Sequence, residues 1–449
     1  MTDVSRPTPG PPRAYRMPPF TRSLLPNGVE VIIAPFHRLP VATIRVVVDA
    51  GATRDTPGRE GESFLTAKSL VEGTRQRSAD EITAAIERLG GELDSQTDWN
   101  DLSVSTTIQS GAVADALNVV GELVRTPVFP EAGVARNRNE QLSEREQARL
   151  EPRQHADDVF ASVVYDPKAR FALPEAGDSA TIRTFDRATV QAYHAATFTP
   201  ERTCVVVVGA VDIDATLARV RESLGDWRPG NSADNGAILD LAAEHTAIHV
   251  VDRSGASQTE LRIGHVGIPR RHPDYFAVVV MNSILGGLFS SRINLNLREK
   301  HGFTYGAFSA FDWRVQSGPF MISTAVQTDA TASAIREVLA ELDRIRQSPV
   351  SEDERSLAVN YLAGVFPIRY ETTAAIASAL AAMRVFGLPP DYFETYRDRI
   401  LSVSAAEVLS AAQKHLNPSR LQVVALGAAS AIEPTVAPLG REVLRVAST

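Results

Sequence analysis

The sequence has a single cysteine in 449 residues, so an intramolecular disulfide is excluded. Cys204 opens the apolar run TCVVVVGA, which predicts a strand and favours a buried core thiol over a nucleophile. Charge of one sign is also scarce: 46 basic and 54 acidic residues give a net charge of −8, without a long block of either. Because nucleic-acid-binding proteins usually concentrate Lys and Arg on one face, this balance argues against a nucleic-acid partner.

Several catalytic motifs are missing. The sequence contains no G-x-S-x-G, Walker A or G-x-G-x-x-G stretch, and its nine histidines form neither H-x-x-E-H nor H-E-x-x-H. His245 and His249 are four residues apart, in a segment that reads as a linker entering a strand. Residues i and i+4 of a strand lie roughly 13 Å apart, so this pair is too widely spaced for one metal ion.

The N-terminus lacks the apolar core of a secretory signal. Residues 1–20 are rich in proline and predict a flexible arm. We find no run of roughly 20 apolar residues and expect no membrane span. A cytoplasmic location follows as the expectation, although a mature periplasmic form with a new initiator Met would look the same.

An internal repeat is present. Residues 185–212 resemble residues 403–430, and each segment predicts a helix, then a proline, then an apolar strand that ends in glycine. Upstream, residues 97–133 resemble residues 311–354, each with a strand, a turn and an amphipathic helix. The chain is therefore predicted to contain two related halves of roughly 200 residues.

The repeat predicts an α+β fold of two homologous halves, each a mostly antiparallel sheet with helices packed on one side. We place the N-terminal domain at 21–227, a polar linker at 228–246 and the C-terminal domain at 247–449.

Several local patterns resemble the pitrilysin family of metallopeptidases, also called insulinases or inverzincins. They are the opening LPNGVEVIIAP with VVVDAGATRDTPGREG, the segment LVEGT, and above all ILGGLFSSRINLNLREKHGFTYGAFSAF at 284–311. The resemblance covers about residues 20–430 and implies the duplicated pitrilysin-like fold. Within this family, the chain is similar to the alpha-like subunits of processing peptidases, which lack the zinc motif.

In active relatives, a helix carries H-x-x-E-H, and a third zinc ligand follows about 76 residues later. Aligned on Gly73 and Thr74, the corresponding helix here is 61–74. The resemblance puts Phe64 and Lys68 at the two His positions, Ala67 at the Glu position and Glu144 at the third ligand. Phe and Ala cannot bind zinc, so we expect no metal in this chain. Glu144 alone is also consistent with a solvated charge on a helix face.

Arg298 and Tyr305 match a pair that relatives present to the zinc centre from their second half. By this resemblance, Tyr305 would donate a hydrogen bond to the developing oxyanion, and Arg298 would hold a substrate carbonyl. The alternative is an ordinary surface Arg and a core Tyr. Gly286 and Gly287 match a glycine-rich loop that touches substrate in relatives, or they simply permit a tight turn.

The resemblance implies a non-catalytic, substrate-binding subunit, inactive alone, of a heterodimeric zinc endopeptidase. The expected partners are an H-x-x-E-H subunit that carries the zinc and unfolded peptides as substrates; no cofactor is expected in this chain. Two alternatives remain open: a structural protein like the respiratory core proteins, and a homodimeric peptide-binding protein without peptidase activity.

Overall fold

The computed structural model describes residues 15–228, 230 and 246–446. The predicted linker lies almost wholly outside the described residues, as do the first 14 residues of the predicted flexible arm. Residues 15–20 of that arm pack against the second half of the chain. The Tyr15 hydroxyl donates to the Tyr370 carbonyl at 3.1 Å, and Met17 is buried in the core of the second half. These residues therefore belong to the fold.

The first half forms a six-stranded sheet with helices. Its strands are β1 (Thr21–Leu24), β2 (Glu30–Pro35), β3 (Val41–Val48), β4 (Leu93–Thr97), β5 (Leu102–Gln109) and β6 (Thr203–Gly209). Its helices are α1 (Glu62–Ser69), α2 (Ala79–Arg88), α3 (Val113–Arg125), α4 (Glu131–Leu150), α5 (Pro152–Val164), α6 (Ser179–Arg183), α7 (Arg187–Thr197) and α8 (Ile213–Leu224).

The second half repeats this design. Its strands are β7 (Ala247–Asp252), β8 (Gln258–Val266), β9 (Ala307–Phe311), β10 (Pro319–Gln327), β11 (Gln422–Gly427) and β12 (Glu442–Val446). Its helices are α9 (Tyr275–Asn282), α10 (Arg292–Asn294), α11 (Thr331–Gln347), α12 (Glu352–Arg369), α13 (Thr373–Val385), α14 (Tyr392–Leu401), α15 (Ala405–His415) and α16 (Ala429–Val436). Turns of π-helix, Ser283–Gly287 and Leu295–Lys300, extend α9 and α10.

The strand orders confirm the predicted duplication and fold class. The first sheet runs β1-β2-β6-β3-β5-β4 and the second runs β12-β7-β11-β8-β10-β9, so β6 and β11 occupy the same place. Most neighbouring strands are antiparallel. One inner pair in each half is parallel, β2–β6 in the first half and β7–β11 in the second. The outer strand differs: β1 is antiparallel to β2, whereas β12 is parallel to β7.

Every residue of β6 is buried, because the first sheet is covered on both faces. Val205 and Val207 lie in the core of the first half. Cys204 lies on the other face with the apolar residues of α13, a helix of the second half. The prediction of a buried core thiol is confirmed, and burial raises the pKa of Cys204 to about 12. A continuous apolar run is what a strand covered on both faces requires.

The second sheet is covered in the same way by a helix of the first half. Helix α5 of the first half packs on β8 and β11 of the second sheet, where Phe160 joins Val424 and Leu426 in a separate apolar cluster. Arg262 of β8 reaches out of this face and pairs with Asp157 of α5. Each half therefore contributes a helix to the sheet of the other, which ties the halves into one folded unit.

The helical stretch Tyr275–Lys300 is long and apolar enough to cross a membrane by length and composition, with a mean hydropathy of 1.5. More than half of its most apolar window, 56%, is buried inside the protein, and the backbone is extended at Leu288. A core helix of a folded domain passes the same test, and packing accounts for the apolar residues here.

Candidate functional site

Helix α1 begins at a buried carboxylate. Asp55 accepts hydrogen bonds from the backbone N–H groups of Gly61 (2.7 Å) and Ser63 (2.9 Å), which have no partner within the helix. The Arg170 guanidinium pairs with Asp55 at 2.9 Å. Burial raises the pKa of Asp55, and Arg170 opposes this rise. Gly61 has φ +99°, and a Cβ there would lie 2.4 Å from the Ala176 carbonyl oxygen. This start of the helix therefore requires glycine.

The three positions that the resemblance assigns to the zinc motif lie on α1. Phe64 and Lys68 are half-buried, and Ala67 is buried. The Ser95 hydroxyl of β4 donates to the Ala67 carbonyl at 2.8 Å, so the strand holds the helix along its side. None of the three side chains is of a type that binds zinc in proteins, which use Cys, His, Asp and Glu.

Lys68 and Glu144 meet although 76 residues separate them in sequence. The Lys68 ammonium lies 2.8 Å from a carboxylate oxygen of Glu144 and 3.4 Å from one of Glu140, both on α4. The carboxylate of Glu144 is therefore not simply a solvated charge, although 56% of the side chain is exposed. The Lys68 ammonium lies against the Glu144 carboxylate, and a cation at this position repels a divalent metal ion.

Helix α4 is fixed to α1 by two buried amides that sequence reasoning missed. Asn137 donates to the Lys68 carbonyl at 3.1 Å, and Gln141 donates to the Gly61 carbonyl at 3.0 Å. Asn137, Gln141 and Glu144 share a helix face through their i, i+4, i+7 spacing, which is the signal that could have revealed this contact. These two hydrogen bonds join α1 to α4 without a metal ion.

Tyr305 follows the second-half helical stretch and is 92% exposed. The alternative prediction, that Tyr305 is a buried core residue, is therefore wrong. Within the described part of the chain its hydroxyl has no hydrogen-bond partner. The neighbouring backbone is nevertheless anchored. Thr304 Oγ1 donates to the Gly306 carbonyl at 2.9 Å, and Thr324 of β10 lies 3.0 Å from both. An exposed hydroxyl on an anchored backbone is available to a group outside this chain.

Arg298 lies in the π-helical turn Leu295–Lys300. Its guanidinium carbon is 4.5 Å from the centre of the Phe289 ring, a cation–π contact, and its Nε is 3.6 Å from Glu299. About a third of the side chain is exposed. Among the described residues, no hydrogen bond or ion pair joins Arg298 or Tyr305 to the Lys68–Glu144 pair. The structure therefore presents two separate groups of residues, the Lys68–Glu144 pair in the first half and Arg298 with Tyr305 in the second.

Gly286 and Gly287 lie at the end of the π-helical turn Ser283–Gly287. A Cβ at Gly286 would lie 2.4 Å from Oγ of Ser309 and 2.7 Å from its backbone N, so the helix touches β9 at this point. Neither glycine has a positive φ. The close approach of the backbone, and not a tight turn, thus accounts for Gly286. Gly287 is exposed, and its substrate-binding role stays a prediction.

Two other expectations concern histidines. His249 lies in β7 and hydrogen-bonds to Gln422 at 3.0 Å, while His245 lies outside the described residues. Burial lowers the pKa of His249. Within the described ranges, three ligand-type side chains converge at one place, His272, Asp274 and His415, in the second half and not on α1.

Comparisons with known proteins agree with this fold. Residues 31–170 match the family model described as insulinase (peptidase family M16), and residues 184–362 match the model described as peptidase M16 inactive domain. The crystal structure of a peptidase M16 inactive domain from Pseudomonas fluorescens superposes with a TM-score of 0.83 at 26% identity. The superposition covers 91% of this chain and 98% of the Pseudomonas fluorescens chain.

A protease from Helicobacter pylori shares the fold, with a TM-score of 0.84 at 16% identity over 92% of this chain and 100% of that one. An uncharacterized zinc protease of Mycobacterium tuberculosis is 26% identical over 438 residues, 94% of this chain and 96% of the relative. One from Streptomyces coelicolor is 23% identical over 405 residues, 87% of this chain and 86% of the relative.

The first family match lies within the first half, and the second runs from residue 184 of the first half to residue 362 in α12 of the second. The positions on α1 that correspond to the zinc motif hold Phe64, Ala67 and Lys68. The chain belongs to the insulinase-type peptidase M16 family and is a member of its non-catalytic type.

Proposed function

We propose that this chain is the substrate-binding, non-catalytic subunit of a heterodimeric zinc endopeptidase. In this proposal a homologous partner carries H-x-x-E-H and the zinc ion. This chain supplies Arg298 and Tyr305 to the partner's zinc site, and unfolded peptides are the substrates. Several relatives carry the name zinc protease, which supports peptide hydrolysis as the reaction of the complex.

The observation that carries the proposal is the contrast between the two groups. The Lys68 ammonium pairs with Glu144 at the place that the family resemblance gives to the metal ion. Tyr305, in contrast, projects 92% exposed from an anchored backbone. A tyrosine that served the core would be buried with its hydroxyl paired, since a buried O–H normally finds a partner. Its exposure is what a residue that reaches a second subunit needs.

The chemistry follows from these side chains. Zinc in the partner would activate a water that attacks the peptide carbonyl. As the carbonyl oxygen gains negative charge, the Tyr305 hydroxyl would donate a hydrogen bond to it. Arg298, held over Phe289, has donors that suit a carbonyl oxygen of the peptide.

Affinity purification of the tagged full chain from its native cell tests this proposal. We expect an H-x-x-E-H protein of similar length to co-purify in equal amounts, and the complex to cleave unfolded peptides in a chelator-sensitive reaction. The free chain should not cleave them. A stable homodimer that binds peptide without a partner would support the peptide-binding alternative. Co-purification with membrane redox subunits would support the structural one.

A further inference from the structure

Three side chains with metal-ligating atoms converge in the second half, away from α1. They are His272, Asp274 and His415, and one ligand atom from each lies within 4.8 Å of the other two. The ring centres of His272 and His415 are 4.8 Å apart and the rings are nearly perpendicular, at 80°. All three residues are half-buried, so solvent reaches them.

The fold brings these residues together through two helix ends. Asp274 immediately precedes α9, and His415 is the last residue of α15, which packs against α9. Nε2 of His415 lies 2.8 Å from the Asp274 carboxylate. The backbone N–H of Asp274 donates to Nδ1 of His272 at 3.1 Å, which holds that ring beside the carboxylate. The cluster is therefore positioned by packed elements and not by a loop alone.

We propose that His272, Asp274 and His415 form a binding site for a divalent transition-metal ion of the Zn²⁺ class. Two imidazoles and one carboxylate are a ligand set that suits Zn²⁺, with a fourth position open to water. Zinc–ligand distances of about 2.0–2.2 Å require the three atoms to move to about 3.3–3.5 Å from one another. Side-chain rotation can supply that movement at a half-exposed site.

The side chain of Lys414 would compete with a metal ion for Asp274. The Lys414 ammonium lies 3.5 Å from the same Asp274 oxygen that His415 contacts. An incoming ion would displace Lys414 from that carboxylate. On binding the ion through Nε2, His415 would give up to solvent the proton that it donates to Asp274 and would carry its one remaining ring proton on Nδ1, so that the imidazole binds as a neutral ligand. A bound ion would then join the start of α9 to the end of α15. This ion is distinct from the zinc that the proposed function assigns to the partner.

Isothermal titration of the full chain with ZnCl₂, after chelator treatment and dialysis, tests the site. We expect one ion per chain, with a parallel rise in the thermal unfolding midpoint. His415→Gln and His272→Gln should each weaken the affinity by at least about tenfold, because removing even a group that only supports a ligand typically costs about 10–100-fold. His301→Gln is the matched control, since that histidine lies outside the cluster beside Glu337.

Lys414→Gln gives a second, opposite readout, because removing the competing cation should tighten binding severalfold. Should a histidine variant fail to fold, Lys414→Gln and Asp274→Asn still decide the question. The proposal is overturned if millimolar Zn²⁺ produces no binding isotherm. It is also overturned if the affinity is the same in the wild type, in both histidine variants and in Asp274→Asn.

Discussion

At the scale of single residues, the exposed hydroxyl of Tyr305 offers a test that distinguishes the proposed substrate-binding subunit from the scaffold alternative. If it donates to the oxyanion in the partner's site, Tyr305→Phe should lower kcat of the reconstituted heterodimer by about 10²–10³-fold. Assembly should be unchanged, because the side chain makes no described hydrogen bond within this chain. Peptide hydrolysis and size-exclusion chromatography measure the two effects.

Tyr361→Phe is the matched control, since Tyr361 is another exposed tyrosine, on α12, at 50% exposure. It should leave kcat unchanged. Arg298→Ala should act more through KM if Arg298 holds the substrate before reaction. Full activity in both Tyr305→Phe and Arg298→Ala would favour the scaffold alternative.

A second prediction concerns the zinc positions of α1. The triple variant Phe64→His, Ala67→Glu, Lys68→His rebuilds the motif beside Glu144. We expect its peptidase activity to stay at the background of the wild-type chain. Ligand histidines need acceptors that hold their orientation, and Ala67 is packed at 3% exposure in a space shaped for a methyl group.

Zinc content and hydrolysis of an unfolded peptide test the triple variant. The wild-type chain, which keeps the His272–Asp274–His415 cluster, gives the baseline zinc content above which metal on α1 is counted. Lys68→His alone is the control for loss of the ammonium. Robust chelator-sensitive hydrolysis by the triple variant would show that the supporting groups persist. The identity of the three residues is plain from the sequence. The pairing of Lys68 with Glu144 is not, because it depends on how α1 and α4 pack.

At the scale of elements, Gly286 marks the place where a helix touches a strand. Gly286→Ala would put a methyl group 2.4 Å from the Ser309 hydroxyl of β9. Overpacking of this kind costs typically about 1–3 kcal/mol, so we expect the free energy of unfolding to fall by about that amount. Urea unfolding followed by circular dichroism gives the measurement.

Gly364→Ala provides the control, because Gly364 lies inside α12 and a Cβ there meets nothing within 4 Å. Alanine in an exposed helix interior is favoured over glycine by about 0.8–1.0 kcal/mol, so this variant should be slightly stabilised. Equal stability of the two variants would mean that the β9 contact relaxes, and the packing explanation for Gly286 would fail.

The sequence predicted strands more fully than contacts between halves. The apolar runs of β6 and β11, each after a proline and before a glycine, were recognisable as repeated strands. The exchange of α5 and α13 between sheets was not. An apolar helix pattern shows that a helix is buried, but it does not show which sheet covers it. Here the second covering layer comes from residues more than 90 positions away.

At the scale of the whole molecule, the halves also meet through charge. Arg314 of the second half lies 4.2 Å from the Trp99 ring and 4.5 Å from the Phe171 ring of the first half. The Val315 backbone N–H donates to Asn100 Oδ1 at 3.0 Å. Glu175 is half-buried beside this junction. Burial raises its pKa to about 7, and Arg314 only partly offsets the rise.

This raised pKa makes stability depend on pH with a defined sign. Between an ordinary glutamate pKa near 4.5 and about 7, the folded chain holds a proton on Glu175 that the unfolded chain has lost. The Glu175 contribution to the free energy of unfolding should therefore fall as pH rises through this window. Glu175→Gln removes the titration, so the variant should gain about 1–2 kcal/mol over wild type at pH 8 and little at pH 4.5.

Urea unfolding of wild type and variant at pH 4.5, 6 and 8 tests this prediction. The control is Glu87→Gln, the same substitution at an exposed residue of α2. Asp101, whose pKa is also raised to about 7 by burial, titrates in both proteins and cancels in the comparison. A Glu175→Gln difference that is constant from pH 4.5 to 8 would mean that Glu175 stays ionised, with Arg314 outweighing burial at this junction between the halves.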